Sequence, residues 1–125
     1  MVATYYSEEH EWITVDGTTG TVGITSHAQE QLGDIVFVEV IKKNEDVGND
    51  DDVAVVESVK AASDIFSPVS GFIIQANELL EDAPETINSD PLENGWIFKI
   101  TISDLSELDD LMDLESYTKF VERIK

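Results

Sequence analysis

The chain has 125 residues, 42% of them apolar, so a globular domain with a modest core is expected rather than a disordered tail. Its 27 acidic and 7 basic residues leave a formal charge of −20, which repels nucleic acid and anionic membrane surfaces and steers encounters toward basic protein surfaces. There is no cysteine, which excludes disulfides, thiolate metal sites and cysteine nucleophiles.

Glu11-Trp12-Ile13-Thr14-Val15 alternates as a strand and ends at Asp16-Gly17, a tight-turn signal. Gly20 to Thr25 reads as the return strand. Ser26 to Gly33 reads as a short helix, with Ser26 as its cap, Gln29 three residues on and Gly33 as its stop. Ala28 and Leu32 share one face of it. Asp34 to Ile41 is a strong strand, and Lys42 to Asp52 is polar and acidic. Val53-Ala54-Val55-Val56 and the apolar run from Ile65 to Ile74 read as strands, the second broken by a bend at Ser67-Pro68-Val69-Ser70-Gly71. Glu78 to Pro91 is expected to be a long acidic loop, and Gly95 to Ile102 a final strand. The period then turns helical: Leu105, Leu108, Leu111 and Met112 predict one helix, with Ser103 or Asp104 as cap. Tyr117, Phe120, Val121 and Ile124 predict a second, whose C-terminal end suits Lys119, Arg123 and Lys125. The expected organisation is a single domain over 1–125, with a β core over about 20–102 and a helical cover over 103–125.

No apolar run reaches membrane-spanning length. The first 41 residues hold no Lys or Arg, so neither a signal peptide with a basic start nor an Arg-rich transit peptide is expected. The expected location is the cytoplasm, or the mitochondrial matrix for a processed eukaryotic protein.

A faint internal repeat has a spacing of 36 residues. Val36-Phe37-Val38 falls on Phe72-Ile73-Ile74. With an insertion in the second copy, Ala54-Val55-Val56 meets Ile97-Phe98-Lys99. Two similar half-barrels would give this pattern, with Lys60 in the connection between them.

Lys60 is the only Lys or Arg between Asn44 and Phe98, in a region crowded with Asp and Glu. It falls at the bend between two strands. An amine on a flexible stem at a hairpin tip is a place to attach something, although an ordinary exposed lysine also fits. His10 and His27 are too few for a histidine metal cluster. Asp50-Asp51-Asp52 lacks the ligand spacing of a calcium loop. No Ser-His-Asp arrangement or phosphate-cradling glycine loop stands out. A presented lysine without a catalytic constellation points to a carrier rather than an enzyme.

Four stretches carry a resemblance to a known family. They are Glu9-His10-Glu11-Trp12, Gly20 to Glu39, Val55 to Asp64 around Lys60, and Pro68-Val69-Ser70-Gly71. Asn77-Glu78, Leu80, Pro84, Ile87-Asn88, Asp90-Pro91, Gly95-Trp96 and the end containing Tyr117 also fit. The chain closely resembles the glycine cleavage H-protein family, nearly throughout. After Glu39 it departs: many members continue with Leu-Pro, whereas Val40-Ile41-Lys42-Lys43 stands here.

The resemblance implies a mainly β fold, a lipoyl-domain-like flattened barrel or hammerhead sandwich with added helices. It implies a monomeric, non-catalytic carrier with lipoic acid amide-linked to Lys60 and no metal. The hairpin residues Glu57, Ser58, Val59 and Ala61 would present that lysine. The arm would take an aminomethyl group from a glycine decarboxylase (P protein, pyridoxal-dependent) and present it to an aminomethyltransferase (T protein, tetrahydrofolate-dependent). Dihydrolipoyl dehydrogenase (L protein) would reoxidise it, and a lipoyl-attaching enzyme must recognise the hairpin. The loaded arm would fold into a cleft where Glu11 and Asp64 pair with its amine and His10 helps shape the wall.

Three other readings compete with this one. The first is another carrier, either a lipoyl domain of a 2-oxoacid dehydrogenase or a biotinyl domain. Those usually place Asp before the lysine, or methionine beside it, where Val59 and Ala61 stand here. The second is an H-like protein that relays lipoate to other complexes. The third is an unmodified acidic interaction module with Lys60 left free.

Overall fold

β-Branched and aromatic residues at alternate positions give the chain its strands, because each such run can bury one face against another layer. The computed structural model describes residues 2–124. Lys125, expected at the C-terminal end of the last helix, lies outside the described residues.

β1 (Val2–Tyr6), β2 (Glu11–Asp16) and β3 (Thr19–Ile24) form an antiparallel meander. Gly17, with φ of 66°, supplies the left-handed residue of the turn between β2 and β3. α1 (Ser26–Leu32) follows, then β4 (Ile35–Val40), the two-residue β5 (Asp46–Val47), β6 (Asp52–Ser58), β7 (Ala62–Phe66) and β8 (Gly71–Ala76). Two short helices, α2 (Leu79–Asp82) and α3 (Thr86–Ser89), precede β9 (Phe98–Ile102). A 3₁₀ turn (Leu105–Asp110) and α4 (Leu114–Ile124) end the fold.

Two sheets result. One has six strands in the order β1-β2-β3-β9-β8-β5, and the other has three in the order β4-β6-β7. Inward residues of both meet in one core, in which Ile13, Val22, Val56, Ile73, Phe98 and Ile100 are fully buried. Each side chain of that size contributes roughly 1.5–3 kcal/mol through burial. The architecture is the mainly β, flattened two-sheet sandwich expected. The 36-residue repeat maps onto paired strands, with β4 beside β6 in the small sheet and β8 beside β9 in the large one.

Several local expectations need correction. The cap of α1 is Thr25, not Ser26: its hydroxyl accepts from the Ala28 N–H at 3.2 Å. The segment from Glu78 to Pro91 is not a loop, since it contains α2 and α3. Leu80 and Ile87 are buried there, and their two apolar anchors suffice to fold short turns onto the core. The final strand begins at Phe98 rather than Gly95, because Gly95 donates to the Asp90 carbonyl and closes a turn instead. The expected helix up to Met112 is a 3₁₀ turn capped by Asp104, which accepts from the Ser106 N–H. β1 precedes the first strand named from the sequence, and β5 lies within the stretch read as polar and acidic.

α4 forms as read. The Asp113 carboxylate accepts from the Ser116 N–H at 2.8 Å, and this bond holds its carboxyl below the usual range. Tyr117, the buried residue of this helix, stacks on Tyr6 of β1 with ring centroids 4.9 Å apart. Met112 and Tyr6 exchange two backbone hydrogen bonds of 2.8 Å, so the C-terminal segment is seamed to the edge of the large sheet.

One close approach is intolerant of any side chain. A Cβ at Gly71 would lie 2.1 Å from the Thr101 carbonyl oxygen, in the pairing of β8 with β9. Gly71→Ala is expected to destabilise the fold by about 2 kcal/mol or more, read from the urea midpoint. Gly48→Ala, whose Cβ would meet only the Asp51 side chain at 3.5 Å, is the control and should stay within about 0.5 kcal/mol.

Candidate functional site

Lys60 sits with Val59 at the tip of the β6–β7 hairpin, whose last paired residues are Glu57 and Ala62. The turn is self-contained. The Ser58 N–H donates to the Ala61 carbonyl at 2.8 Å, and the Ser58 hydroxyl oxygen accepts from the N–H groups of Lys60 and Ala61, each at 3.1 Å. Ser58 thus satisfies the polar groups of the bend with its own side chain. Glu57, Val59, Lys60 and Ala61 are all exposed, Val59 to 67% despite its apolar side chain.

The tip does not wave free. The Val59 N–H donates to the Asp34 carbonyl at 3.0 Å, which ties the turn to the segment between α1 and β4. The stem of Lys60 lies across Gly33: a Cβ there would stand 3.0 Å from Lys60 Cε. Gly33 has φ of 82°, so its lack of a side chain serves both the backbone and the lysine. Among the described residues, the one ion pair joins Lys119 to Glu115 on α4, so the Lys60 ammonium makes none.

Beside this turn a cleft of about 420 Å³ opens between α1, β7 and the β1–β2 connection. Leu32, next to Gly33, lines it, as do His10, His27, Gln31 and Asp64. His10 and His27 stand 4.6 Å apart, ring centre to ring centre. His10 Nδ1 and the Tyr117 hydroxyl lie 2.8 Å apart, and that hydroxyl is 2.7 Å from Thr25 Oγ1. The wall therefore joins the β1–β2 connection, the cap of α1 and α4 through one hydrogen-bonded chain. Burial, then the neighbouring His27, lowers the pKa of His10, so its ring favours the neutral form.

Of the residues singled out from sequence, His10 and Asp64 meet in the cleft, and Asp64 is exposed there. Glu11 is placed differently. It is only 2% exposed and does not line the cleft. Its carboxylate turns inward, where it accepts from the Ser7 hydroxyl at 2.6 Å and from the Phe66 N–H at 3.4 Å. Sequence reasoning missed Gly33 as a neighbour of the lysine and Leu32 and Gln31 as part of the cleft lining. The shared face of Ala28 and Leu32 on α1 was the available signal, but nothing local says what that face meets.

A lysine on a two-residue turn, beside a cleft and on a flattened two-sheet body, is an arrangement that suits a carrier domain. Comparison with known proteins narrows the class. The family model described as "Glycine cleavage H-protein" matches residues 4–124. A glycine cleavage system H protein from Rhodospirillum rubrum is 51% identical over 122 residues, covering 97% of each chain. One from Teredinibacter turnerae is 57% identical over 119 residues, covering 94% of this chain and 91% of that one. The crystal structure of a glycine cleavage system H protein from Mycobacterium marinum superposes with a TM-score of 0.84 at 34% identity, covering 93% of this chain and 94% of the other. The chain belongs to the glycine cleavage H-protein family, whose members are lipoyl-bearing carriers of the glycine cleavage system.

The environment of Glu11 has a measurable consequence. Burial pushes its carboxyl up to about 7, against the opposing hydrogen bonds from Ser7 and Phe66. The folded value lies above the ordinary 4.5, so between the two the folded chain holds a proton that the unfolded chain has released. Stability from this group is therefore full below about 4.5 and is lost as pH rises toward 7. Glu11→Gln removes the titration and keeps the shape. Its stability relative to the parent is expected to grow by about 2 kcal/mol between pH 5.5 and pH 8, measured by urea unfolding at both. A difference that does not change with pH would show that Glu11 is ionised in the folded state throughout.

Proposed function

We propose that Lys60 is the residue that carries lipoic acid in amide linkage, and that the chain serves the glycine cleavage system as the carrier of this arm without a catalytic centre of its own. The observation that supports this most is the pairing of an exposed, unpaired ammonium on a tied two-residue turn with a cleft beginning one residue from the glycine it crosses. The residues present suit the group. The hairpin tip leaves an attaching enzyme free access, and Val59 offers an apolar neighbour to an apolar arm. Bound there, lipoic acid supplies a dithiolane that accepts and releases a carbon unit and two electrons.

The protein's part is to hold, shelter and present. Acylation removes the positive charge of Lys60 and leaves an acidic surface around the hairpin, with Asp34 and Glu57 exposed near it. Such a surface steers encounters with basic rims on partner enzymes. The partners in this reading are the glycine decarboxylase, the aminomethyltransferase, dihydrolipoyl dehydrogenase and a lipoyl-attaching enzyme, each meeting a monomeric carrier in turn. In the cleft, Asp64 is the carboxylate that faces a cationic amine, and Glu9 lies on the same lining. Glu11 supports the site from within: through the Phe66 N–H it ties β7, the strand of Asp64, to the turn after β1.

The test separates chemistry from folding. In cells with active lipoylation, Lys60→Ala is expected to lose a lipoyl-sized mass increment and all glycine cleavage activity in a reconstituted system. Its unfolding free energy should stay within about 0.5 kcal/mol of the parent, because an exposed turn side chain is removed. Parent protein isolated without any increment on Lys60 would overturn the assignment.

A further inference from the structure

The side chain of Asn88, on α3, makes three hydrogen bonds to one short stretch of chain. Its Oδ1 accepts from the Ile35 N–H at 2.8 Å. Its Nδ2 donates to the Gly33 carbonyl and to Gln29 Oε1, each at 2.9 Å. Gly33 and Ile35 flank Asp34, and it is the Asp34 carbonyl that receives the Val59 N–H of the lysine turn. Gly33 is also the residue over which the Lys60 stem lies, and Leu32 before it lines the cleft. A single side chain thus grips both sides of the residue that anchors the turn.

The grip has a firm base. Ile87, next to Asn88, is fully buried in the core, so α3 is fixed by packing and not by this polar contact alone. The segment it holds is packed at its far end, where Ile35 enters the core, but not at Gly33 and Asp34. Gly33 has a left-handed φ, and Asp34 is exposed. α1 ends at Gly33 with a single backbone bond from the Gly33 N–H to the Gln29 carbonyl. Without Asn88, the Ile35 N–H and the Gly33 carbonyl would each lose the partner that holds this junction in register.

We infer that Asn88 is a positioning residue for Lys60: by clamping Gly33 and Ile35 it fixes the Asp34 carbonyl, and through it the height and direction of the lysine turn. This rests on the reading of Lys60 as the attachment site, but the clamp itself can be tested without it. The chain of contact predicts a selective effect. The bonds from the Ser58 N–H to Ala61 and from the Ala61 N–H to Ser58 Oγ lie within the hairpin and do not pass through Asn88. The Val59 N–H reports directly on the tie to Asp34, at the end of the β4–β6 pairing of Ile35 with Ser58.

Amide exchange in the full, unmodified chain provides the measurement, with Asn88→Ala and Asn88→Asp as variants. The aspartate keeps an acceptor for the Ile35 N–H but loses both donors and sets a carboxylate against the Gly33 carbonyl. In both variants the Val59 N–H is expected to exchange about tenfold faster or more, with Ser58 unchanged and the core amides of Phe98 and Ile100 unchanged. Lipoylation of Lys60 by a lipoyl-attaching enzyme should slow roughly five- to tenfold in kcat/KM, carried by KM, since the turn is no longer preorganised for recognition. Unchanged Val59 exchange would overturn the inference, and so would equal acceleration of Val59 and the core, which marks a general stability role. Faster Val59 exchange with lipoylation unaltered would also overturn it, because the clamp would then not serve the lysine. Should the parent itself accept no lipoate, the reading of Lys60 fails, and the exchange pattern alone decides whether Asn88 holds the turn.

Discussion

The architecture depends on the pairing of β3 with β9, where residues from Thr19 to Val22 meet those from Thr101 to Phe98. These strands lie far apart in sequence, so their pairing costs loop-closure entropy that neither local hairpin repays. Without it the large sheet would divide into the β1-β2-β3 meander and a β9-β8-β5 remnant. The bonds from the Ile97 N–H to Val22 and from the Ile102 N–H to Thr18, both 2.7 Å, extend the seam beyond the paired strands. The burial of Phe98 and Ile100 supplies the apolar gain that offsets its cost.

That pairing also assembles the site. α1 follows β3 in the chain, and α3 shortly precedes β9. Joining the two strands brings the helices together, and only then can Asn88 reach Gln29, Gly33 and Ile35. The segment so held is the one that the hairpin of the small sheet leans on through Val59 and Asp34. The ties near the lysine are thus polar and local, while the core that orients the two sheets is apolar and distributed. The arrangement leaves Lys60 exposed on a base that packing keeps in place.

The cleft beside it divides charge in a way that follows from burial. Two ionisable groups here, His10 on the lining and Glu11 buried away from it, have pKa values displaced in opposite directions by the same desolvation, and both displacements favour the neutral form. The carboxylates that line the opening, Glu9 and Asp64, are exposed. A cationic group entering the cleft therefore meets acidic side chains at the rim and a largely neutral interior behind them. His10 holds φ of 70°, a conformation uncommon outside glycine and asparagine, and its bond to Tyr117 shows what that backbone twist achieves: the ring reaches across to α4.

Much of this was legible in the residues themselves. Alternation marked β2, β3 and β4, the Asp16-Gly17 turn marked the first hairpin, and the isolation of Lys60 among carboxylates marked the candidate site, because each is a property of neighbours in sequence. The helical stripe through Tyr117 was equally plain. Other features were decided only by tertiary structure. β5 and the short helices α2 and α3 have too few residues for any periodicity, and they exist because Val47, Leu80 and Ile87 find a core to enter. Glu11 read as a carboxylate beside a cleft, yet β2 turns it inward, since the face of a strand on which a side chain falls depends on which sheet packs against it. Asn88 could be seen as a motif residue but not as the grip on Gly33 and Ile35, because that contact joins positions more than 50 apart and comes into being only when β3 pairs with β9. Neighbouring residues put Lys60 at a bend between two strands; the long-range pairing of β3 with β9 supplies what holds that bend in place.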